Sequence, residues 1–325
     1  MLRRANQRNS ASQTKFQKSN RLQPNFISKD PLLQTGLYIH PSPFFIKTLS
    51  HPAVRKVVDF WEKWNDKVLW LLNDRAWPYR EDMQQKLADF VAPYVPKEAF
   101  IADIGTGSGG FISRLVHKTV DRIIGIFAVD LDLHALTAVP DSLRAAGFVS
   151  ENQIGFQRKK LWLIQASTMH PLHVDLIRPE SMDLVTSVFG GIMYAGWFFN
   201  SGMPLEKRAA LQACLKSIHA ILKPNGYLAM SVPKPGANWT KIVLVSLWWY
   251  LRRGRLFSFF KFLPYAIRAK IISSFMHELV SSGHAHYLTK KEWCDQLEQV
   301  GFEVVEFFEE ACFSRQAHYF IARKL

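Results

Sequence analysis

The sequence predicts an α/β fold, a mostly parallel sheet with helices on both faces. Three observations carry that reading. An apolar stretch at 101–104 runs into a glycine-rich turn (IADIGTGSGGF, residues 101–111); apolar strands and amphipathic helices then alternate; and the second strand closes on an acid, Asp130. Alternation of this kind buries a parallel sheet between helices joined by right-handed crossovers.

The chain has 325 residues, 48% of them apolar, enough for one large domain with appendages. Residues 1–29 hold seven Lys or Arg and no acid, so this arm cannot bury a core. Its composition suits a solubilising tail, a tether to an anionic surface or an organelle transit peptide. Residues 30–98 read as a helical cover. Val54, Val57, Val58, Trp61, Trp64, Val68, Leu71 and Leu72 recur at spacings of three and four over 52–77, and a second helix is expected over 81–94.

The core, expected over 99–235, begins with the turn. Glycines at 105, 107, 109 and 110 let the backbone bend sharply and leave room for a ligand. A helix starting at Phe111 points its free N–H groups at the same place. No Lys-Ser/Thr pair follows, which excludes a phosphate-binding P-loop, whereas Gly105, Gly107 and Gly110 also satisfy the dinucleotide fingerprint. Residues 123–129 read as a buried parallel strand ending in Asp130, Leu131 and Asp132. A carboxylate there, about 20 residues past the glycines, is placed to accept both hydroxyls of a ribose. A helix over 133–146, strands at 161–166 and 183–188, a helix over 205–222 and a turn into a fifth strand by 233 follow. Thr289 reads as the cap of a helix stopped by Gly301. Residues 302–308 and 317–322 then read as an antiparallel pair, so that 287–325 completes the core.

These pieces together resemble the class I S-adenosylmethionine (SAM)-dependent methyltransferases, in particular the methyltransferase type 11, quinone- and lipid-methylase-like group. DIGTGSGG, the strand ending in VDLD, MDLVTSVF, the LKPNGYL turn and the TKKEW…GFEVVE close carry the resemblance, over 85–235 and 285–325. It implies a seven-stranded Rossmann-like sheet with an antiparallel C-terminal hairpin, helices on both faces and a helical lid insert. It also implies SAM as cofactor. Asp103 would then reach the amino end of the methionine moiety. Gly105, Thr106 and Gly107 would let the main chain approach its carboxypropyl group, Asp130 would hold the ribose, and Leu131 would pack on the adenine. The family often carries an acid after the third strand for the adenine amino group. Gln165-Ala166-Ser167 stands there instead, so Ala166 or Ser167 takes that position, with Val188 closing the fourth strand.

Methyl transfer needs alignment and exclusion of water more than covalent help. An oxygen acceptor would also need a base. His170 and His173 follow the third strand, near where α/β sheets bind ligands, Tyr194 follows the fourth, and His284, His286 and Tyr287 lie where the chain re-enters the core; His170 and His286 are the catalytic candidates, although a lone histidine is more often structural. The Asn/Asp-Pro-Pro-aromatic phrase of amino-nucleobase methylases is absent after the fourth strand. No cysteine stands there for pyrimidine C5 chemistry.

Residues 236–286 form an unusual insert. IVLVSLWWYL (242–251) is followed by Arg252, Arg253 and Arg255 and then by LFSFFKFLPYAI. Too short to span a bilayer, such a stretch can lie in its surface through 242–270 and admit a lipophilic acceptor. It can equally close a soluble pocket or a dimer interface. Its aliphatic runs argue against nucleic acid as a partner. The net charge of +14, from 41 basic and 27 acidic residues, favours anionic surroundings. Three cysteines without paired spacing suggest a reducing compartment and no metal site. With no apolar leader, a cytoplasmic or organellar protein is expected, in peripheral contact with a membrane and not secreted. The expected function is methyl transfer to a small lipophilic acceptor of quinone, isoprenoid or lipid type. The alternatives are a soluble methylase of a natural product or polar metabolite, and a SAM- or lipid-binding protein without turnover.

Overall fold

The structure is a computed structural model that describes residues 34–39, 49–64, 78–148, 159–167, 172, 176–200, 203–309 and 315–325. In chain order the elements are β1 (Gln34–Ile39), α1 (Pro52–Trp64), α2 (Pro78–Val91), β2 (Ala99–Ile104), α3 (Gly110–Thr119), β3 (Ile123–Asp130), α4 (Leu133–Leu136) and α5 (Val139–Ala145). They continue as β4 (Lys160–Gln165), β5 (Met182–Val188), β6 (Trp197–Asn200), β7 (Met203–Glu206), α6 (Lys207–Ile221), β8 (Leu222–Pro233), α7 (Trp239–Arg252), α8 (Leu256–Ser281), α9 (Lys290–Glu298), β9 (Phe302–Phe308) and β10 (Ala317–Lys324).

Eight strands form one sheet in the order β1-β4-β3-β2-β5-β8-β10-β9, with β10 antiparallel to both of its neighbours. Seven of them are the expected Rossmann-like methyltransferase sheet, mostly parallel and closed by the antiparallel hairpin. The eighth is a correction. Gln34–Ile39, inside the stretch read as helical cover, pairs in parallel with β4 and caps its open edge. The single helix expected over 133–146 is also divided. Pro140 has no N–H to give to Leu136, so the chain turns at Thr137–Ala138 and restarts as α5 with proline in its first turn. The β6–β7 hairpin that precedes α6 has no counterpart in the sequence reading.

Side chains alternate across the sheet as the two-residue strand period demands. On β10, Tyr319 and Ile321 join one core with α2, α3 and α5, whereas Phe320 and Ala322 join the other with α1, α6 and α9. The two N-terminal helices therefore flank opposite faces: Val54, Val57 and Val58 of α1 in one core, Met83, Leu87 and Val91 of α2 in the other. At the C-terminal end, Thr289 and Glu292 form a reciprocal capping box at the start of α9.

The insert is a helical hairpin, α7 packed along α8 and against α2, turning at Gly254 with φ +67°. Its root is fixed: Phe275, Met276 and Leu279 of α8 are buried, Phe275 stacks on Phe60 of α1 with centroids 3.8 Å apart, and Lys56 pairs with Glu278.

Candidate functional site

Strand order reverses between β2 and β5, since β3 and β4 continue to one side of β2 and β8 to the other side of β5. In open α/β sheets ligands bind at the carboxyl end of such a switch point. Asp103 stands there. It is 2% exposed, and the Thr186 hydroxyl, directly opposite on β5, donates to its Oδ1 at 2.6 Å. Burial pushes the Asp103 carboxyl up to about 6, against the opposing pull of the bonded Thr186 hydroxyl and of the nearby Thr106 hydroxyl. Thr106 Oγ1 is itself buried and completes no hydrogen bond among the described residues. A buried carboxylate with one oxygen engaged, next to an unused hydroxyl, is a receptor for a cationic group.

Asp130 closes β3 beside it. Its Oδ2 accepts from Gly107 N–H at 2.7 Å and its Oδ1 from Asp132 N–H at 2.9 Å. Burial pushes this carboxyl up to about 6 as well, against the backbone donors that favour its charge. These bonds fix the carboxylate and leave lone pairs for a diol. Asp132 caps α4, accepting from His134 N–H at 2.9 Å.

The glycines divide their labour. A Cβ on Gly105 (φ +73°) would lie 2.5 Å from Gly191 N and 2.7 Å from Gly190 Cα, so Gly105 is where the β2–α3 turn crosses the chain leaving β5. At Gly109, the N-cap of α3, a Cβ would meet Val139 and Ser142 of α5 only at ordinary contact distance, 3.4 Å, and it is the backbone at φ +82° that favours glycine. Gly107, at φ +55°, has nothing within 4 Å of where a Cβ would be. The turn is thus wedged at Gly105 and open at Gly107, which is a cradle for a ligand's main-chain contacts.

Around this cradle, Leu131 is half-buried against one core and Val188 against the other. Gln165 Nε2 donates to Leu131 O at 3.2 Å, Ala166 N–H to Asp130 O at 3.0 Å, and Ala166 and Ser167 are buried. The main-chain N–H of Ala166 is therefore already engaged. His170 and His173 lie outside the described residues.

His286 is brought against the loop after β5 from far along the chain. Its backbone N–H donates to Met193 O at 2.9 Å, and Gly196 admits the His284 carbonyl where any side chain would collide with it. Its ring is buried, burial lowers its pKa against a hydrogen bond to the Ala195 carbonyl, and Nε2 has no partner among the described residues. Tyr194 Oη donates to Met276 Sδ of α8 at 3.4 Å. The loop after β5 thus touches the cofactor turn through Gly190 and Gly191, and the insert through Tyr194. His284 Nδ1 instead lies 2.7 Å from Ser282 Oγ.

Thr186, Gly190 and Gly191 were not among the residues singled out in the sequence. The Thr186–Ser187 hydroxyl pair within the apolar run of β5 was the available signal for Thr186. A shallow groove of about 410 Å³, lined in part by Tyr94, Asp183, Lys223 and Tyr227, lies at the opposite end of the sheet. Asp183 is committed there to Lys223 Nζ, at 2.7 and 2.8 Å, and to Phe100 N–H at 2.9 Å. It ties strands together and is no candidate for chemistry.

No family model and no curated protein matches this sequence. Solved structures do. A SAM-dependent methyltransferase of Methanosarcina mazei is 17% identical, with 73% of this chain and 97% of that one covered and a TM-score of 0.45. A possible exported protein of Bordetella parapertussis is 16% identical, over 75% and 67% of the two chains, with a TM-score of 0.47. A TehB-like SAM-dependent methyltransferase of Corynebacterium glutamicum is 14% identical, over 74% and 87%, with a TM-score of 0.39. At such scores the likeness adds nothing to the strand order, on which the fold assignment rests.

Proposed function

We propose that the protein is a SAM-dependent methyltransferase acting on a small lipophilic acceptor of quinone, isoprenoid or lipid type at a membrane surface. The observation that carries the reading is the pair of carboxylates, the buried Asp103 and the half-buried Asp130, on either side of the open Gly107. Bound there, the cofactor supplies a methyl group activated by a sulfonium. Asp103 receives its ammonium, with Thr106 adding a hydroxyl. Asp130 holds the two ribose oxygens, Gly107 lets the main chain approach, and Leu131, Ser167 and Val188 enclose the base. A carboxylate that carries its charge to an ammonium or a diol binds it with strong, directional hydrogen bonds.

The acceptor side lies between the loop after β5 and the root of the insert. Tyr194 bonds Met276 there, and the buried His286 is tied to Met193, the residue before Tyr194. Methyl transfer gains chiefly from alignment in such a place. For an acceptor that must lose a proton, His286 is the base. Burial keeps the ring neutral near pH 7, and the unpaired Nε2 is the atom that takes the proton. The lipophilic and membrane part of the reading rests on the apolar insert above this site.

The absence of an acid after β4 favours a second reading, a SAM-binding protein with little turnover. Incubation with SAM labelled in its methyl group, in the presence of a total lipid extract, separates the two. The expected result is label in the organic phase. Label confined to an aqueous product would sink the lipophilic acceptor, and binding without transfer would support the second reading.

A further inference from the structure

Large apolar side chains left in water are concentrated in one place. Among the described residues, the exposed large apolar side chains are Leu244, Trp248, Leu256, Phe257, Phe260, Leu263 and Ile271, together with the C-terminal Leu325. The first seven all belong to the α7–α8 hairpin. Phe257 is 82% exposed, Phe260 65% and Trp248 64%. On α8, residues 256, 260, 263 and 271 fall on one helical face, with 257 at its border, so they form a stripe about 22 Å long at 1.5 Å per residue. On α7, Leu244 and Trp248 are one turn apart and lead to the loop. An exposed patch of this kind marks an interaction surface.

Charge selects the partner. From Asn238 to His277 the chain holds seven Lys or Arg and no acid. Arg252, Arg253 and Arg255 are exposed at the turn, and the guanidinium of Arg253 lies 3.9 Å from the centre of the Trp249 ring. A second copy of this chain would face that charge with its own, which disfavours a self-complementary interface. A single-stranded nucleic acid would satisfy the arginines and aromatic rings but offers nothing to Leu244, Leu256, Leu263 and Ile271. An anionic bilayer satisfies both sets. No helix among the described residues is long and apolar enough to cross a membrane, so the hairpin can only lie against it.

We infer that the α7–α8 turn is a docking surface for anionic lipid bilayers. Trp248, Phe257 and Phe260 enter the headgroup layer, and the three arginines pair with lipid phosphates and carboxylates. Because the other end of α8 is rooted by Phe275 and Met276 beside Tyr194, docking holds the acceptor side of the site close to the lipid. The inference deepens the acceptor reading above and rests on it for its purpose, but its test needs neither cofactor nor acceptor, so each can fail alone.

The test is co-sedimentation of the full chain with phosphatidylcholine vesicles, with and without phosphatidylserine. The wild type should partition onto the anionic vesicles far more strongly than onto the neutral ones. Replacing Arg252, Arg253 and Arg255 by Gln should weaken anionic binding about a hundredfold, near a factor of five per charge. Trp248→Ser with Phe257→Ser and Phe260→Ser should weaken it by at least about tenfold, while the thermal transition stays in place because all three side chains face water. Three results would overturn the inference. One is variants that bind like the wild type, which would leave the basic arm as the anchor. Another is a wild-type dimer that the Ser variant dissolves. The third is tighter binding to a single-stranded oligonucleotide than to vesicles.

Discussion

At the carboxyl end of β2 the chain buries a carboxylate, sets a threonine hydroxyl on it at 2.6 Å and wedges two backbone crossings together through glycine. At the α7–α8 turn it does the reverse, leaving phenylalanines and tryptophan in water among arginines in a segment that holds no acid. The first region is complete in itself: its polar groups and tight crossings are answered from within the chain, except where a ligand would enter. The second is answered only from outside. A rigid, costly site is what orienting a cofactor requires, whereas an exposed apolar tip is tolerable only where something else covers it. Substitutions should therefore act on folding and ligand in the first region, and on partition alone in the second.

The largest effect should come from Gly105→Ala. Its Cβ would overlap Gly190 and Gly191 at φ +73°, where an L side chain is already strained. A loss of about 3–5 kcal/mol in denaturant unfolding is expected, from overpacking and backbone strain together. Gly107→Ala, with open space and φ +55°, should lose only about 1 kcal/mol yet weaken cofactor binding. Equal losses at both glycines would erase the distinction between wedge and cradle. Next comes the root of the hairpin. Phe275→Ala removes the stack on Phe60 and should cost about 3–4 kcal/mol.

The pH dependence is smaller and has a definite sign. Asp103 is raised to about 6 in the fold against 3.8 in the unfolded chain, so the folded state holds the extra proton between those values. Stability of the ligand-free protein should fall as pH rises from about 4 to about 6 and level off above, by about 2–3 kcal/mol at most. Asp130, raised in the same direction, adds to the slope. Asp103→Asn should flatten its share in a series of thermal melts. SAM affinity should instead rise over the same interval, as Asp103 gains the charge that pairs with an ammonium. A stability that rises with pH there would show that Asp103 is not buried as described. The smallest effect belongs to the tip, where Phe257→Ser should leave unfolding within about 0.5 kcal/mol. A larger loss would mean that the tip is packed against the chain after all.

The same contrast explains what the sequence disclosed. Asp103, the glycines and Asp130 are legible because their positions follow from local geometry: strand, turn, helix, strand end. The seven sheet strands are legible from the two-residue period and apolar runs. Long-range partners were not. Nothing near Gly105 indicates that Gly190 and Gly191, some 85 residues on, must pass against its backbone. Nothing near Phe60 indicates Phe275. The strand at Gln34–Ile39 was missed because its six residues, QTGLYI, form too short a pattern to declare a strand before β4 supplies the edge. Pro140 was the visible signal for the break between α4 and α5, but the apolar periodicity around it outweighed it.

The central claim is that Asp103 and Asp130 frame a SAM site at the carboxyl end of the sheet. Calorimetric titration of the folded protein with SAM, in the wild type and in Asp130→Ala, tests it most directly. Binding by the wild type, weakened at least about a hundredfold in the variant through loss of hydrogen bonds to a charged acceptor, is the predicted result. No heat from the folded wild type, or equal affinity in the two proteins, would contradict it.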